Sequence, residues 1–123
     1  MDAGSVLVLD DSEDLLDVLS LIIERQCNLK AVTLKSMAEV VAIKETALAC
    51  KIAILDINLG PNEPNGVDVY HWLRSQAFQG QIVFLTGHAA THPIVAAAQG
   101  LGDARVFTKP LSASALVQMI RDA

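Results

Sequence analysis

The stretch Lys51-Ile52-Ala53-Ile54-Leu55-Asp56-Ile57-Asn58 contains a short, continuous apolar run that ends in a carboxylate. Buried strands of parallel sheets have this pattern, because helices cover both of their faces. The stretch predicts a central strand with Asp56 at its carboxyl end, which is the end where open α/β sheets bind their ligands. An aspartate there is either a cap of a turn or helix or a functional carboxylate, and the ends of the other strands help to decide.

Composition excludes several classes of protein. The chain has 123 residues, of which 52% are hydrophobic and 19% charged, and this suits one globular domain over residues 1–123. Its formal net charge is -5 and no basic run is present, so we expect no direct binding to nucleic acid. No apolar run is long enough to span a bilayer, and acidic Asp2 stands where a signal peptide would be basic. We therefore expect a cytoplasmic protein without membrane contact, in which Cys27 and Cys50 are reduced.

Further apolar runs alternate with helical patterns along the chain. Short strands are predicted at residues 5–9, 31–34, 81–86 and 105–108 in addition to the Asp56 strand. Apolar residues at helical spacing follow each strand, and the second helix is expected to begin at Ser36 and to reach about Leu48. Five strands alternating with five helices predict an α/β fold, with a parallel five-stranded sheet, right-handed crossovers and helices on both faces.

Polar side chains stand at the ends of four of these strands: Asp10 and Asp11, Asp56, Thr86, and Lys109. Each of them taken alone could be a cap, a strand end or a solvated residue. Parallel strands bring their carboxyl ends to one edge of the sheet, so we expect all five side chains to lie together there. Three close carboxylates repel one another unless cations neutralise them, and Mg²⁺ prefers such oxygen ligands.

This set of residues predicts a phosphoryl-transfer site. Asp56 would be the nucleophile that accepts a phosphoryl group as an acyl phosphate. Lys109 would neutralise one phosphoryl oxygen, and the Thr86 hydroxyl would form a hydrogen bond to another.

Over nearly its whole length the sequence resembles the response-regulator receiver domains of two-component signalling, the CheY-like family. The resemblance rests on Asp10-Asp11, Asp56, Thr86 and Lys109-Pro110, each at the end of the expected strand. It implies a flavodoxin-like three-layer (βα)5 fold with strand order 2-1-3-4-5, and a cis bond between Lys109 and Pro110.

The same resemblance implies the chemistry and the partners. Asp56 would receive phosphate from a histidine kinase or a histidine phosphotransfer protein, and a downstream effector protein or domain could read the result. Mg²⁺ would be held by Asp11, Asp56 and the main-chain carbonyl of Asn58, with Asp10 reaching it directly or through water. Such a domain is not an enzyme beyond catalysing its own phosphorylation and dephosphorylation.

Two features depart from the family pattern. The loop Gly60 to Asn65 is about two residues longer than usual, and Val106 occupies a position that is usually aromatic. The missing aromatic suggests that the signal leaves the site by an altered route.

Rival interpretations remain at this point. A haloacid-dehalogenase-like phosphatase also uses a strand-end aspartate and Mg²⁺, but it would need a second carboxylate where this chain has Asn58. A receiver-like interaction domain that works without phosphate is disfavoured by the complete set of site residues. A metal site at His88 and His92 is not expected either, because Pro93 disfavours helical geometry at His92.

Overall fold

The computed structural model describes residues 4–60, 62–87 and 93–122; the histidines His88 and His92 lie outside these ranges. Within the described residues the chain forms five strands and six helices. In chain order these are β1 (Ser5–Leu9), α1 (Glu13–Gln26), β2 (Lys30–Leu34), α2 (Met37–Ala42), α3 (Lys44–Leu48), β3 (Ile52–Asp56), α4 (Gly66–Ser75), β4 (Gln81–Thr86), α5 (Pro93–Gln99), β5 (Ala104–Thr108) and α6 (Ala113–Arg121). No helix among them is both long and apolar enough to cross a bilayer.

The strands form one parallel sheet in the order β2-β1-β3-β4-β5, which confirms the predicted topology. Strand β3 is central, and all five of its residues are buried. In the register with its neighbours, Leu55 lies between Leu9 of β1 and Phe84 of β4. The residues that follow these strands therefore meet at one edge of the sheet.

Two hydrophobic cores cover the two faces of the sheet. Alternate strand residues such as Leu7, Leu55 and Phe84 pack with α2 to α5, while their neighbours Val8 and Ile54 pack with α1 and α6. Successive side chains of a strand point to opposite faces, so a sheet between two helical layers needs apolar residues at every position. This requirement explains the continuous apolar runs in the sequence.

The second predicted helix is divided in the structure. It breaks at Ile43 (φ −115°, ψ 38°), where the backbone leaves helical geometry, and this gives α2 and α3 instead of one helix reaching Leu48. The Ile43 N–H donates to the carbonyl oxygen of Val40, which tightens the end of α2. Val40 and Ala47 are both fully buried, so each short helix contributes its own core contact.

Candidate functional site

Three carboxylates meet at the carboxyl edge of the sheet. Asp10 and Asp11 follow β1, and Asp56 ends β3; one oxygen from each lies within 4.8 Å of the others. Asp10 and Asp56 are 1% and 4% exposed, whereas Asp11 faces solvent. The cluster thus joins two buried carboxylates to one that a cation can reach from outside.

Asp10 is held in place by hydrogen bonds to both of its oxygens. Its Oδ1 accepts the backbone N–H of Ser12 at 2.9 Å, and its Oδ2 accepts Lys109 Nζ at 2.9 Å. The first bond fixes the turn between β1 and α1, and the Ser12 hydroxyl then caps α1 by accepting the N–H of Leu15. The local sequence therefore orients Asp10 toward the lysine.

Asp56 is destabilised in its ionised form. Burial, and after it the nearby charge of Asp10, raise the pKa of its carboxyl from 3.8 to about 6. Lys109 opposes this effect, since its Nζ lies 3.3 Å from Asp56 Oδ1, and the backbone N–H of Asn58 donates to the same oxygen at 3.4 Å. The repulsion expected between close carboxylates thus adds to the effect of burial at Asp56, and burial is the larger cause.

Lys109 bridges the two buried carboxylates. Burial lowers the pKa of its ammonium, but the hydrogen bond to Asp10 and the charges of Asp56 and Asp10 outweigh this, so the pKa is raised. The lysine therefore keeps its positive charge at neutral pH. Lys109 follows β5, and its backbone N–H donates to the Thr86 carbonyl at 2.8 Å. The bond from Lys109 to Pro110 is cis, as expected.

A shallow cavity of about 290 Å³ opens beside the cluster. Asp11, Asp56, Asn58 and Lys109 line it, together with Gly87. Five of the six predicted site residues thus belong to the ion-paired cluster or to the wall of this cavity. The sixth, Thr86, is 1% exposed at the end of β4, directly before Gly87.

Two contributors to the site were not predicted from the sequence. Gly87 lines the cavity, and the backbone N–H of Ser12 orients Asp10. The side chain of an aspartate in a turn often accepts the backbone N–H two residues on, so the Ser12 contact had a recognisable signal. A glycine that follows a strand signals only a turn, and its place in the cavity depends on the whole sheet.

The two departures from the family pattern are visible in the structure. Val106 packs, partly buried, against the core on the side of α4 and α5, whereas Phe107 packs against the opposite core. Phe107 therefore does not replace the missing aromatic side chain. The long loop ends at a capping box in which Asn65 and Asp68 exchange hydrogen bonds at the start of α4.

Comparison with known proteins identifies a response regulator as a relative. The chain is 32% identical over 121 residues to the response regulator protein TodT of Pseudomonas putida. That alignment covers 98% of this chain and 51% of TodT, so the chain spans about half the length of the curated relatives it matches.

Solved structures share the fold. A CheY-like receiver domain protein from Methanospirillum hungatei superposes with a TM-score of 0.83 at 20% identity, covering 97% of this chain and 91% of that one. The chemotaxis protein CheY4 of Vibrio cholerae superposes with a TM-score of 0.80 at 21% identity, covering 97% of both chains.

The family described as the response regulator receiver domain matches residues 6–121. This match spans nearly the whole chain, and the chain therefore belongs to the response regulator receiver domain family.

Proposed function

We propose that the domain is a phosphoryl-accepting switch in which Asp56 is the nucleophile. The observation that carries this proposal is the placement of Lys109 Nζ, 2.9 Å from Asp10 Oδ2 and 3.3 Å from Asp56 Oδ1, beside an open cavity. A buried carboxylate paired with a lysine at the carboxyl edge of a parallel sheet suits attack on phosphorus. Residues 1–123 would form one such receiver domain.

The residues present fit Mg²⁺. Oxygens of Asp10, Asp11 and Asp56 lie close enough to share one cation, and hard oxygen donors are what this ion prefers. In the proposed site Asp11, Asp56 and the main-chain carbonyl of Asn58 would hold the ion. Asp10, both of whose oxygens already accept hydrogen bonds, would reach it directly or through water. Mg²⁺, once bound, supplies positive charge that offsets the carboxylates and the incoming phosphoryl oxygens.

In the proposed reaction, an oxygen of the ionised Asp56 attacks the phosphorus of the donor. A new P–O bond forms as the bond from phosphorus to the donor's leaving atom breaks, and the leaving group departs with that electron pair. Lys109 moves its charge toward a phosphoryl oxygen, and Thr86 offers its hydroxyl to another. Because burial and the charge of Asp10 raise the pKa of Asp56 to about 6, mild acid would remove the nucleophile in the absence of a cation.

The proposed phosphoryl donor is a histidine kinase or a histidine phosphotransfer protein, and the proposed place of action is the cytoplasm. An apolar cavity of about 380 Å³ lies beside Lys109 and offers a partner a contact next to the reacting carboxylate. It is lined by Leu15, Leu19, Leu85, Lys109, Pro110 and Leu111. Val18 and Leu21, also on α1, are more than half exposed. A downstream effector would read the phosphorylated state.

Intact-mass spectrometry after incubation with phosphoramidate tests the proposal. Wild type should gain one phosphoryl group when Mg²⁺ is present and none in chelator, and Asp56→Asn should gain none in either buffer. Equal labelling of the two proteins would show that Asp56 is not the acceptor. Asp122→Asn, which changes an exposed carboxylate beyond α6, serves as the matched control and should be labelled like wild type.

A further inference from the structure

Gly66, the first residue of α4, lies directly against the end of β3. A Cβ atom at this position would stand 2.5 Å from the main-chain oxygen of Asp56 and 3.0 Å from the Cα of Ile57. Nonbonded heavy atoms are comfortable at about 3.5–4.0 Å, so no side chain fits there. The Gly66 N–H also donates to the carbonyl oxygen of Ile57 at 2.9 Å. The two backbones are therefore in direct contact.

Space, and not backbone conformation, requires glycine at this position. The described glycines with positive φ are Gly4, Gly60 and Gly102, and Gly66 is not among them. Its backbone begins a helix, which other residues can do equally well. What a larger residue would disturb is the main chain of the segment 56–58.

We propose that Gly66 is a positioning residue for the cation and phosphoryl site. Its contact fixes the main chain of Asp56 and Ile57, and hence the carboxylate of Asp56 and the carbonyl of Asn58 that follows. This inference rests on the proposed function, because those two groups are proposed ligands of Mg²⁺. The contact also closes the loop of residues 58–65 at its base.

The expected effect follows from the geometry. With alanine at position 66, the new Cβ and the main-chain oxygen of Asp56 would have to move apart by about 0.5 Å to reach a separation of 3.0 Å, and by more to reach a comfortable contact. Metal ligands tolerate only about 0.2 Å of error in distance. Gly66→Ala should therefore weaken Mg²⁺ binding by roughly 10- to 100-fold, the loss typical of removing a group that orients a ligand.

Gly80, which directly precedes β4, provides a matched control at the opposite end of β3. A Cβ there would meet the main-chain oxygen of Lys51 at 2.6 Å and the ring of Phe78 at 2.5 Å, next to the first residue of β3 and about 16 Å from the site. Each substitution presses on the main chain at one end of β3, so both should reduce stability. The measurement is Mg²⁺ affinity by isothermal titration calorimetry, at a temperature where urea denaturation shows all three proteins folded. We expect wild-type affinity for Gly80→Ala and a loss of tenfold or more for Gly66→Ala; equal affinities in the two variants would overturn the inference.

Deleting Asn62 and Glu63 tests the same inference without a steric clash. Both residues are exposed in the long loop and take no part in the contact between Gly66 and Ile57, although the Glu63 N–H donates to the Gly60 carbonyl within the loop. If that contact holds the ligands, the deletion should leave Mg²⁺ affinity within about twofold of wild type, as expected for an exposed loop. A tenfold loss would show that the loop itself positions them and would overturn the inference, even if Gly66→Ala failed to fold. Wild type that bound no Mg²⁺ would instead contradict the proposed function, and the inference with it.

Discussion

Replacing Asp56 by asparagine should stabilise the metal-free protein, by an amount that depends on pH. The carboxyl of Asp56 is 4% exposed, and burial together with the charge of Asp10 raises its pKa from 3.8 to about 6. Between these two values the folded state binds more protons than the unfolded state, so stability falls as pH rises. Asparagine has nearly the same shape and carries no charge, so it avoids this cost.

The size of this stability difference follows from the change in the pKa of Asp56. A rise from 3.8 to about 6 corresponds to about 3 kcal/mol of stability that wild type loses between pH 4 and pH 8. The free energy of unfolding of Asp56→Asn should therefore lie near that of wild type at pH 4 and exceed it by about 3 kcal/mol at pH 8. Lys109 does not reverse the sign, since its attraction to Asp56 is already included in the raised pKa.

Urea denaturation in chelator at several pH values measures this difference. Glu24→Gln removes the same charge from an exposed position on α1 and corrects for the change in net charge. Saturating Mg²⁺ should reduce or reverse the advantage of the variant, because the ion stabilises the ionised wild-type site. A difference between Asp56→Asn and wild type that stayed constant with pH, or grew as pH fell, would show that the pKa of Asp56 is not raised in the folded protein.

Three further predictions follow. Lys109→Ala should cost roughly 3 kcal/mol in chelator at pH 8, because it leaves two buried carboxylates without their counterion; denaturation in urea should show this loss, and added Mg²⁺ should restore part of it. Arg74→Ala should cost about 1–3 kcal/mol, since the Arg74 guanidinium donates to two loop carbonyls and pairs with Asp103, yet calorimetry should show unchanged Mg²⁺ affinity. Beryllofluoride, a phosphoryl mimic, should alter amide exchange mainly in the loops after Asp56 and Thr86, because Val106 is β-branched and cannot swing as an aromatic would; a response confined to Val106 and α6 would contradict this.

The strand ends were the most predictable part of the molecule. An apolar run that stops at a polar residue marks both a buried strand and the edge where it ends, so Asp10, Asp56 and Lys109 could be assigned to one site from the pattern alone. The burial of Asp10 beside the exposed Asp11 could not be predicted, because it depends on the Ser12 turn and on how α1 covers the sheet.

Two other features depend on tertiary packing. The break at Ile43 has no glycine or proline to mark it, and helix-forming residues stand on both sides. The role of Gly66 was equally hidden, since a glycine after a proline-rich loop signals only a turn. Its close approach to Asp56 exists only once α4 has packed against β3.

The most direct test of the account identifies the atom that carries the phosphoryl group. Borohydride reduces an acyl phosphate to an alcohol, so an aspartyl phosphate becomes homoserine, which peptide mass spectrometry can locate in the sequence. After phosphorylation with Mg²⁺ and a small phosphoryl donor, we expect homoserine at position 56 and at no other aspartate. Homoserine at position 10 or 11, or phosphorylated protein with no homoserine at position 56, would contradict it.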